Sequence, residues 1–178
     1  PYLMTQYHLT REQASWYSMV VLLTGGTAQW VAGFLVDRLY RSPFRAYSRQ
    51  VPAMGGFMLS AVGLAALAMS TSVQAGVASF AVAAFGAEMT ISPSWAFCID
   101  IGKRKSGAVS GSMNMIGNFG SFISASIFPL MARLTGDASA YFATAAILNV
   151  LAAAAWMRMR TGGQPELQLA AKTKIGAV

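Results

Sequence analysis

The feature that most constrains this 178-residue chain is a set of long apolar runs without a single charged residue. A helix needs about 20 such residues to cross the roughly 30 Å hydrocarbon core of a bilayer. Runs of sufficient length occupy residues 13–36, 50–87, 106–132 and 138–157. The second run is too long for one crossing. It divides at the polar turn 70–72, and its second half continues past Glu88 to about Phe97.

These runs predict an all-α, polytopic membrane helix bundle of about five transmembrane helices. The predicted helices are 13–36, 51–70, 74–97, 107–131 and 138–158. Thr10 and Gln13 fit a capping box ahead of the first helix. Asp137 is the expected N-cap of the last helix, and Pro93 predicts a kink in the third. Charged residues make up only 11% of the chain, against about 25% in soluble domains, so a soluble globule is excluded.

The basic residues predict the orientation of the helices. Eleven of the thirteen lie in the loops after the first and third predicted helices or after the fifth, and only Arg11 and Arg133 lie on the opposite side. Cytoplasmic loops of membrane proteins carry such an excess. We therefore expect an outside N-terminus and a cytoplasmic C-terminus in a plasma membrane, such as a bacterial inner membrane. The net charge of +7 then belongs to these loops, and nucleic acid is not an expected partner.

The two ends of the chain carry separate expectations. The chain opens on Pro1 without an initiator Met and has no signal-peptide pattern. We therefore expect a C-terminal fragment of a longer protein, with residues 1–160 forming part of a transmembrane half. The segment 161–178 holds Gly162, Gly163 and Pro165, and it is expected to be a disordered cytoplasmic tail.

The fourth predicted helix carries a stripe of small and polar residues that includes Asn114 and Asn118. The glycines and serines of the stripe suit close helix packing as well as any other role. Carboxamides surrounded by apolar residues need hydrogen-bond partners, and each can both donate and accept. Asn114 and Asn118 are therefore predicted to bind a polar solute, with hydrogen bonding between helices as the alternative.

Polar residues also lie inside the first and third predicted helices. Glu88 is the only acid clearly within a span, and a buried carboxyl group has a raised pKa and can exchange a proton. Glu88 is therefore a candidate for proton coupling, or else a neutral packing residue. Gln29, Ser92 and Trp95 are candidates for substrate contact. Helix packing for Gln29 and interfacial anchoring for Trp95 remain open.

The first loop contains the motif GFLVDRLYR at residues 33–41. Snorkelling arginines at the end of a membrane helix explain Arg38 and Arg41, but they do not explain Asp37 with Gly33 one helical turn before it. Gly33 would let a neighbouring helix approach, and Asp37 could cap that helix or pair with a loop arginine. We interpret Gly33, Asp37, Arg38 and Arg41 as a conformational latch.

Soluble-type enzyme chemistry finds no support in the sequence. There is no phosphate-binding loop, zinc-ligand spacing or nucleophile elbow, and His8 and Cys98 stand alone. We therefore predict no catalytic residue, no metal and no cofactor, and we expect the protein not to be an enzyme.

Residues 92–120 resemble the tenth and eleventh helices of major facilitator superfamily transporters, and most closely those of the anion:cation symporter family. Residues 33–41 are similar to the conserved loop between helices eight and nine of the superfamily, and residues 2–14 to the end of helix seven. The resemblance implies a twelve-helix parent, of which this chain supplies helices eight to twelve. It also implies that Trp95 and Asn114, and more loosely Asn118, line the central cavity. It places Asp37, Arg38 and Arg41 in the latch.

The resemblance implies a secondary transporter that moves small organic anions, such as sugar acids, by proton symport with alternating access. In that family the first six helices supply the main basic substrate contacts and proton-coupling acids. The expected partners are thus the organic anion, protons, the lipid bilayer and the missing N-terminal helices, and the chain alone is not expected to transport. The alternative is a truncated, non-transporting membrane protein with only a packing role. A channel is disfavoured because no filter sequence is present.

Overall fold

The computed structural model describes residues 2–159, so the predicted tail 161–178 lies outside the described residues. Seven α-helices account for most of the described chain. They are α1 (Tyr2–Tyr7), α2 (Arg11–Tyr40), α3 (Gln50–Ala68), α4 (Val73–Met89), α5 (Ile91–Gly102), α6 (Ser106–Thr135) and α7 (Ser139–Trp156). The prediction of an all-α fold is confirmed.

Four stretches of the described residues are long and apolar enough to cross a membrane: α2, α3, the segment Val73–Thr135 and α7. Val73–Thr135 has 63 residues, about three times the length that one crossing needs. Within it, Cys98 Sγ and Met113 Sδ lie 3.3 Å apart, although 15 residues in one helix would separate them by about 22 Å. This segment therefore folds back on itself, with α4 and α5 together as one arm and α6 as the other.

The third predicted helix is divided in the structure. α4 ends at Met89 and α5 begins at Ile91, with Thr90 between them. Pro93 has no N–H to continue the ladder of helical hydrogen bonds. The Ser94 amide and hydroxyl both donate to the Thr90 carbonyl, at 3.2 and 2.7 Å. The kink expected near Pro93 is thus a break that starts three residues before it.

The helix ends agree with the sequence in one case and differ in another. At the start of α2, the Gln13 amide donates to Thr10 Oγ1 at 3.3 Å and the Thr10 amide donates to Gln13 Oε1 at 3.2 Å, so the predicted capping box is confirmed. At the start of α7, Ala138 occupies the N-cap position that we predicted for Asp137. Asp137 still accepts a hydrogen bond from the Ser139 amide, and the hydroxyl and amide of Ser139 lower the pKa of this carboxyl group.

Close contact between α3 and α4 forms the centre of the bundle. A Cβ atom placed on Gly63 would lie 2.7 Å from Ala83 Cα, and one on Gly86 would lie 2.8 Å from Ser60 Cα. Only glycine permits two helical backbones to approach this closely. α3 also packs against α7, and α4 against α2. The α3–α4 contact therefore sets the positions of two further helices.

Polar contacts join the helix ends on the side of the first loop. Arg49 Nε lies 3.0 Å from Asp100 Oδ2, which connects the start of α3 to the end of α5. The guanidinium groups of Arg45 and Arg49 lie 4.1 and 5.0 Å from the centre of the Tyr40 ring. Gln50 Nε2 is buried and donates to the Trp156 carbonyl at 2.9 Å. These contacts hold the ends of α2, α3, α5 and α7 together.

The α3–α4 contact predicts the effect of adding one methyl group. Gly63→Ala places a carbon against the α4 backbone, which cannot move aside as a flexible side chain would, so we expect a loss of about 1–3 kcal/mol in the free energy of unfolding. Thermal unfolding of the purified chain in detergent measures this loss.

Gly55→Ala on the same helix is the matched control, because a Cβ there meets nothing within 4 Å. Replacing a helical glycine with alanine should leave stability unchanged or raise it by about 0.5–1 kcal/mol. Equal stability of the two variants would contradict the described packing.

Candidate functional site

A hydrogen bond between two polar side chains lies in the middle of the predicted spans. Gln29 Nε2 on α2 donates to Glu88 Oε2 on α4 at 2.8 Å. Glu88 is half-buried, and it lies about 22 Å along the 30-residue segment formed by α4 and α5, close to its midpoint. A carboxyl group at this depth is costly in lipid and marks a functional position by default. The pair therefore brings together two of the residues that the sequence singled out.

Ser92 joins the same cluster. The break at Thr90 places Ser92 in the first turn of α5, and its hydroxyl donates to the Gln29 carbonyl at 3.2 Å. Gly25, one turn before Gln29, leaves room for the Glu88 side chain, because a Cβ there would lie 3.1 Å from Glu88 Cγ. Three predicted site residues, Gln29, Glu88 and Ser92, thus meet where α2, α4 and α5 come together.

The other predicted substrate residues lie outside this cluster. Trp95 is on α5, one turn after Ser92, and 41% of its surface is exposed. Asn114 and Asn118 are exposed on α6, where Asn118 Nδ2 donates to the Asn114 carbonyl of its own helix at 2.9 Å. α6 packs against α5 and α7. Within residues 2–159 the structure does not enclose the two asparagines in a shared cavity with Glu88.

The glycines of the small-residue stripe on α6 have no close neighbour within the described part of the chain. A Cβ atom placed on Gly107, Gly111, Gly117 or Gly120 would meet nothing within 4 Å. Ser110 is the single buried residue of α6. The close packing that this stripe suggested is found instead between α3 and α4, at glycines that the sequence analysis did not single out.

Three of the four latch residues, Asp37, Arg38 and Arg41, line an open cavity at the end of α2. α2 continues to Tyr40, so Asp37 and Arg38 belong to its last turn. The cavity has a volume of about 450 Å³ and is lined by Phe34, Asp37, Arg38, Arg41 and Ser42.

The expected partner of the latch is not brought to it. A Cβ on Gly33 would meet nothing within 4 Å, so no described helix uses the close approach that this glycine permits. In residues 2–159, the one ion pair joins Arg49 to Asp100, and Asp37 pairs with no arginine.

Sequence reasoning missed the contacts of Arg49, Asp100 and Tyr40. The paired side chains of Arg49 and Asp100 are 51 residues apart, and nothing in their local sequence indicates the pairing. A usable signal was the position of each charge: both lie at the same predicted side of the membrane, just beyond the end of an apolar run. Two opposite charges in the same thin layer can pair only when the helices that carry them are neighbours, and the sequence does not show which helices are neighbours.

The side chains of Gln29, Glu88 and Ser92 determine what the cluster can bind. Glu88 supplies carboxyl oxygens that accept hydrogen bonds, while Gln29 and Ser92 hold donors and acceptors beside it. Within residues 2–159, no three side chains of the metal-ligating types His, Cys, Asp and Glu are grouped. The cluster is suited to hydrogen bonding with a polar group inside a membrane-spanning bundle.

Comparison with known proteins agrees with this architecture. The sequence profile described as Major Facilitator Superfamily matches residues 1–176. No curated protein matches the chain. The profile does not separate the subfamilies of this superfamily, whose members are multi-pass membrane transporters and not enzymes. Because the match extends over nearly all 178 residues and the helices have the required length, the chain belongs to the Major Facilitator Superfamily.

Proposed function

We propose that the chain forms part of a secondary transporter that moves small organic anions together with protons. The observation that carries this proposal is the hydrogen bond between Gln29 and Glu88 at mid-membrane depth. A carboxyl group held there by a neutral donor can change its protonation state without leaving an unpaired charge beside it. This is the requirement for a group that couples proton movement to a second solute.

The proposed substrate contacts are Asn114, Asn118, Trp95, Gln29 and Ser92. Their carboxamide, indole and hydroxyl groups supply donors for carboxylate and hydroxyl oxygens of a solute such as a sugar acid. Residues 92–120, which resemble the anion:cation symporters, hold four of the five. The exposed face of α6 supports this assignment, because its polar side chains are available to a solute or to further helices.

Alternating access in this superfamily occurs between two related halves that enclose the substrate. We propose that residues 1–160 form one side of the pathway, that helices other than these form the other side, and that the chain alone does not transport. Gly33, Asp37, Arg38 and Arg41 are proposed to latch the two sides in one conformation. The exposed Asp37 and open Gly33 support this role, since both are free to meet a helix from the other side.

Uptake of labelled organic acids, such as hexuronates and aldonates, tests the proposed substrate contacts. The chain is expressed in cells alone and together with any helices encoded before it in its gene. We expect saturable uptake only when the chain is expressed together with those helices. In that sample, Trp95→Ala and Asn114→Ala should each raise the KM for the organic acid about tenfold, because each removes a contact of roughly 1–2 kcal/mol.

Two matched variants control for general damage. Trp16 is 62% exposed on α2, well before the polar cluster, and Asn149 on α7 donates within its own helix just as Asn118 does. Trp16→Ala and Asn149→Ala should retain wild-type KM. Unchanged KM in Trp95→Ala and Asn114→Ala would contradict the substrate assignment, and uptake by the chain alone would contradict the need for further helices.

Replacement of Glu88 tests proton coupling separately from substrate binding. Glu88→Gln keeps the shape of the side chain and can still bond to Gln29, but it cannot release a proton. We expect this variant to exchange substrate across the membrane at equal concentrations and to lose accumulation driven by a proton gradient. Glu12→Gln in the first turn of α2 is the control and should accumulate normally. Accumulation by Glu88→Gln at the wild-type level would remove Glu88 from the mechanism.

The charge distribution predicts a C-terminus in the cytoplasm. In a bacterial host, alkaline phosphatase fused after Gly136 should be active, because the enzyme folds only outside the cytoplasm, whereas fusion after Lys105 should be inactive. The reverse pattern would contradict the orientation that the basic loops favour.

A further inference from the structure

The cavity at the end of α2 has two arginines on its wall. Arg38 and Arg41 are three residues apart and therefore face the same side of a helical turn. Asp37 is the one acid among the five lining residues, so the cavity carries a formal charge of +1. Its volume is about 450 Å³, enough to hold the polar head of an amphiphile.

The neighbouring arginines have other partners. Arg49 is paired with Asp100, and Arg45 donates to the Tyr40 hydroxyl and lies over its ring. Arg38 and Arg41 are both exposed, and no carboxylate within residues 2–159 forms an ion pair with either. Their guanidinium groups are therefore open to an anion from outside the bundle.

The depth of the cavity identifies the kind of anion. α2 has 30 residues and is about 45 Å long, the thickness of a bilayer with its headgroups. Its last turn therefore lies at headgroup level. Phe34, one turn nearer the membrane centre, is 65% exposed and faces the level where acyl chains begin. A molecule that fills the cavity meets positive charge at one end and an aromatic ring at the other.

We propose that this cavity binds an anionic phospholipid through its phosphodiester group in the conformation in which no further helix engages the latch residues. The guanidinium groups of Arg38 and Arg41 bind the phosphate oxygens, in the paired geometry that arginine forms with phosphate. Phe34 packs against the first carbons of an acyl chain. Asp37 accepts hydrogen bonds from headgroup hydroxyls, and the net charge of +1 is neutralised by one phosphodiester. These features fit a glycerol headgroup.

Binding of phosphatidylglycerol to the full chain in detergent tests the proposal, with bound lipid counted by native mass spectrometry. The variant Arg38→Gln/Arg41→Gln should bind at least about tenfold more weakly, a loss that corresponds to roughly 1.4 kcal/mol. The control Lys103→Gln/Arg104→Gln removes the same charge from the loop between α5 and α6. It should stay within about threefold of wild type, because distant exposed charges are screened.

A third variant, Arg38→Lys/Arg41→Lys, keeps the charge and loses the paired geometry, and it should bind with intermediate affinity. Size-exclusion chromatography and circular dichroism confirm that each variant is folded. Equal binding by wild type and Arg38→Gln/Arg41→Gln, or equal losses in that variant and the loop control, would overturn the site. Equal retention of phosphatidylethanolamine would overturn the choice of an anionic lipid. Displacement of phosphatidylglycerol by inorganic phosphate at comparable concentration would overturn the choice of a lipid.

Discussion

The rest of the structure depends on the close approach of α3 and α4. Inside a bilayer the hydrophobic effect does not drive helices together, because lipid tails are as apolar as leucine side chains. Van der Waals contact between backbones takes its place, and Gly63 and Gly86 make that contact possible. α2 packs on α4 and α7 packs on α3. Gly86 lies on α4 two residues before Glu88, so the glycine contact also positions the helix that carries the acceptor of the Gln29 side chain.

The polar cluster spans the interruption between α4 and α5. Ser92 lies one turn beyond Glu88, and its hydroxyl reaches the Gln29 carbonyl at 3.2 Å. Pro93 lowers the energetic cost of the break, because proline has no N–H group to donate to the helical hydrogen-bond ladder. The Ser94 amide and hydroxyl both donate to the Thr90 carbonyl, which keeps this carbonyl paired at the interruption.

The sequence predicted what the bilayer itself dictates. A helix must have a minimum length to cross the lipid bilayer, so the long apolar runs predict an all-α fold. Thr10 and Gln13 predict the start of α2, because a capping box depends only on neighbouring residues. The sequence did not predict contacts between segments that are far apart along the chain. Gln29 and Glu88 are 59 residues apart, and each was identified alone, as a polar residue in apolar surroundings. Gly63 and Gly86 were not identified, because 17 glycines offer many equivalent packing stripes. Asn114 was identified by its chemistry, and within residues 2–159 it is exposed on α6 rather than placed beside Glu88.

The exposure of α6 has a consequence for how its side chains are directed. α6 has a single buried residue, Ser110, so its helix is held mainly by its own backbone hydrogen bonds, which lipid makes costly to break. Its rotation about its own axis is instead set by contacts of Met113 with Cys98 on α5 and of Ser124 with Tyr141 on α7. The exposed asparagines on a different face of α6 thereby point in a fixed direction away from its neighbours.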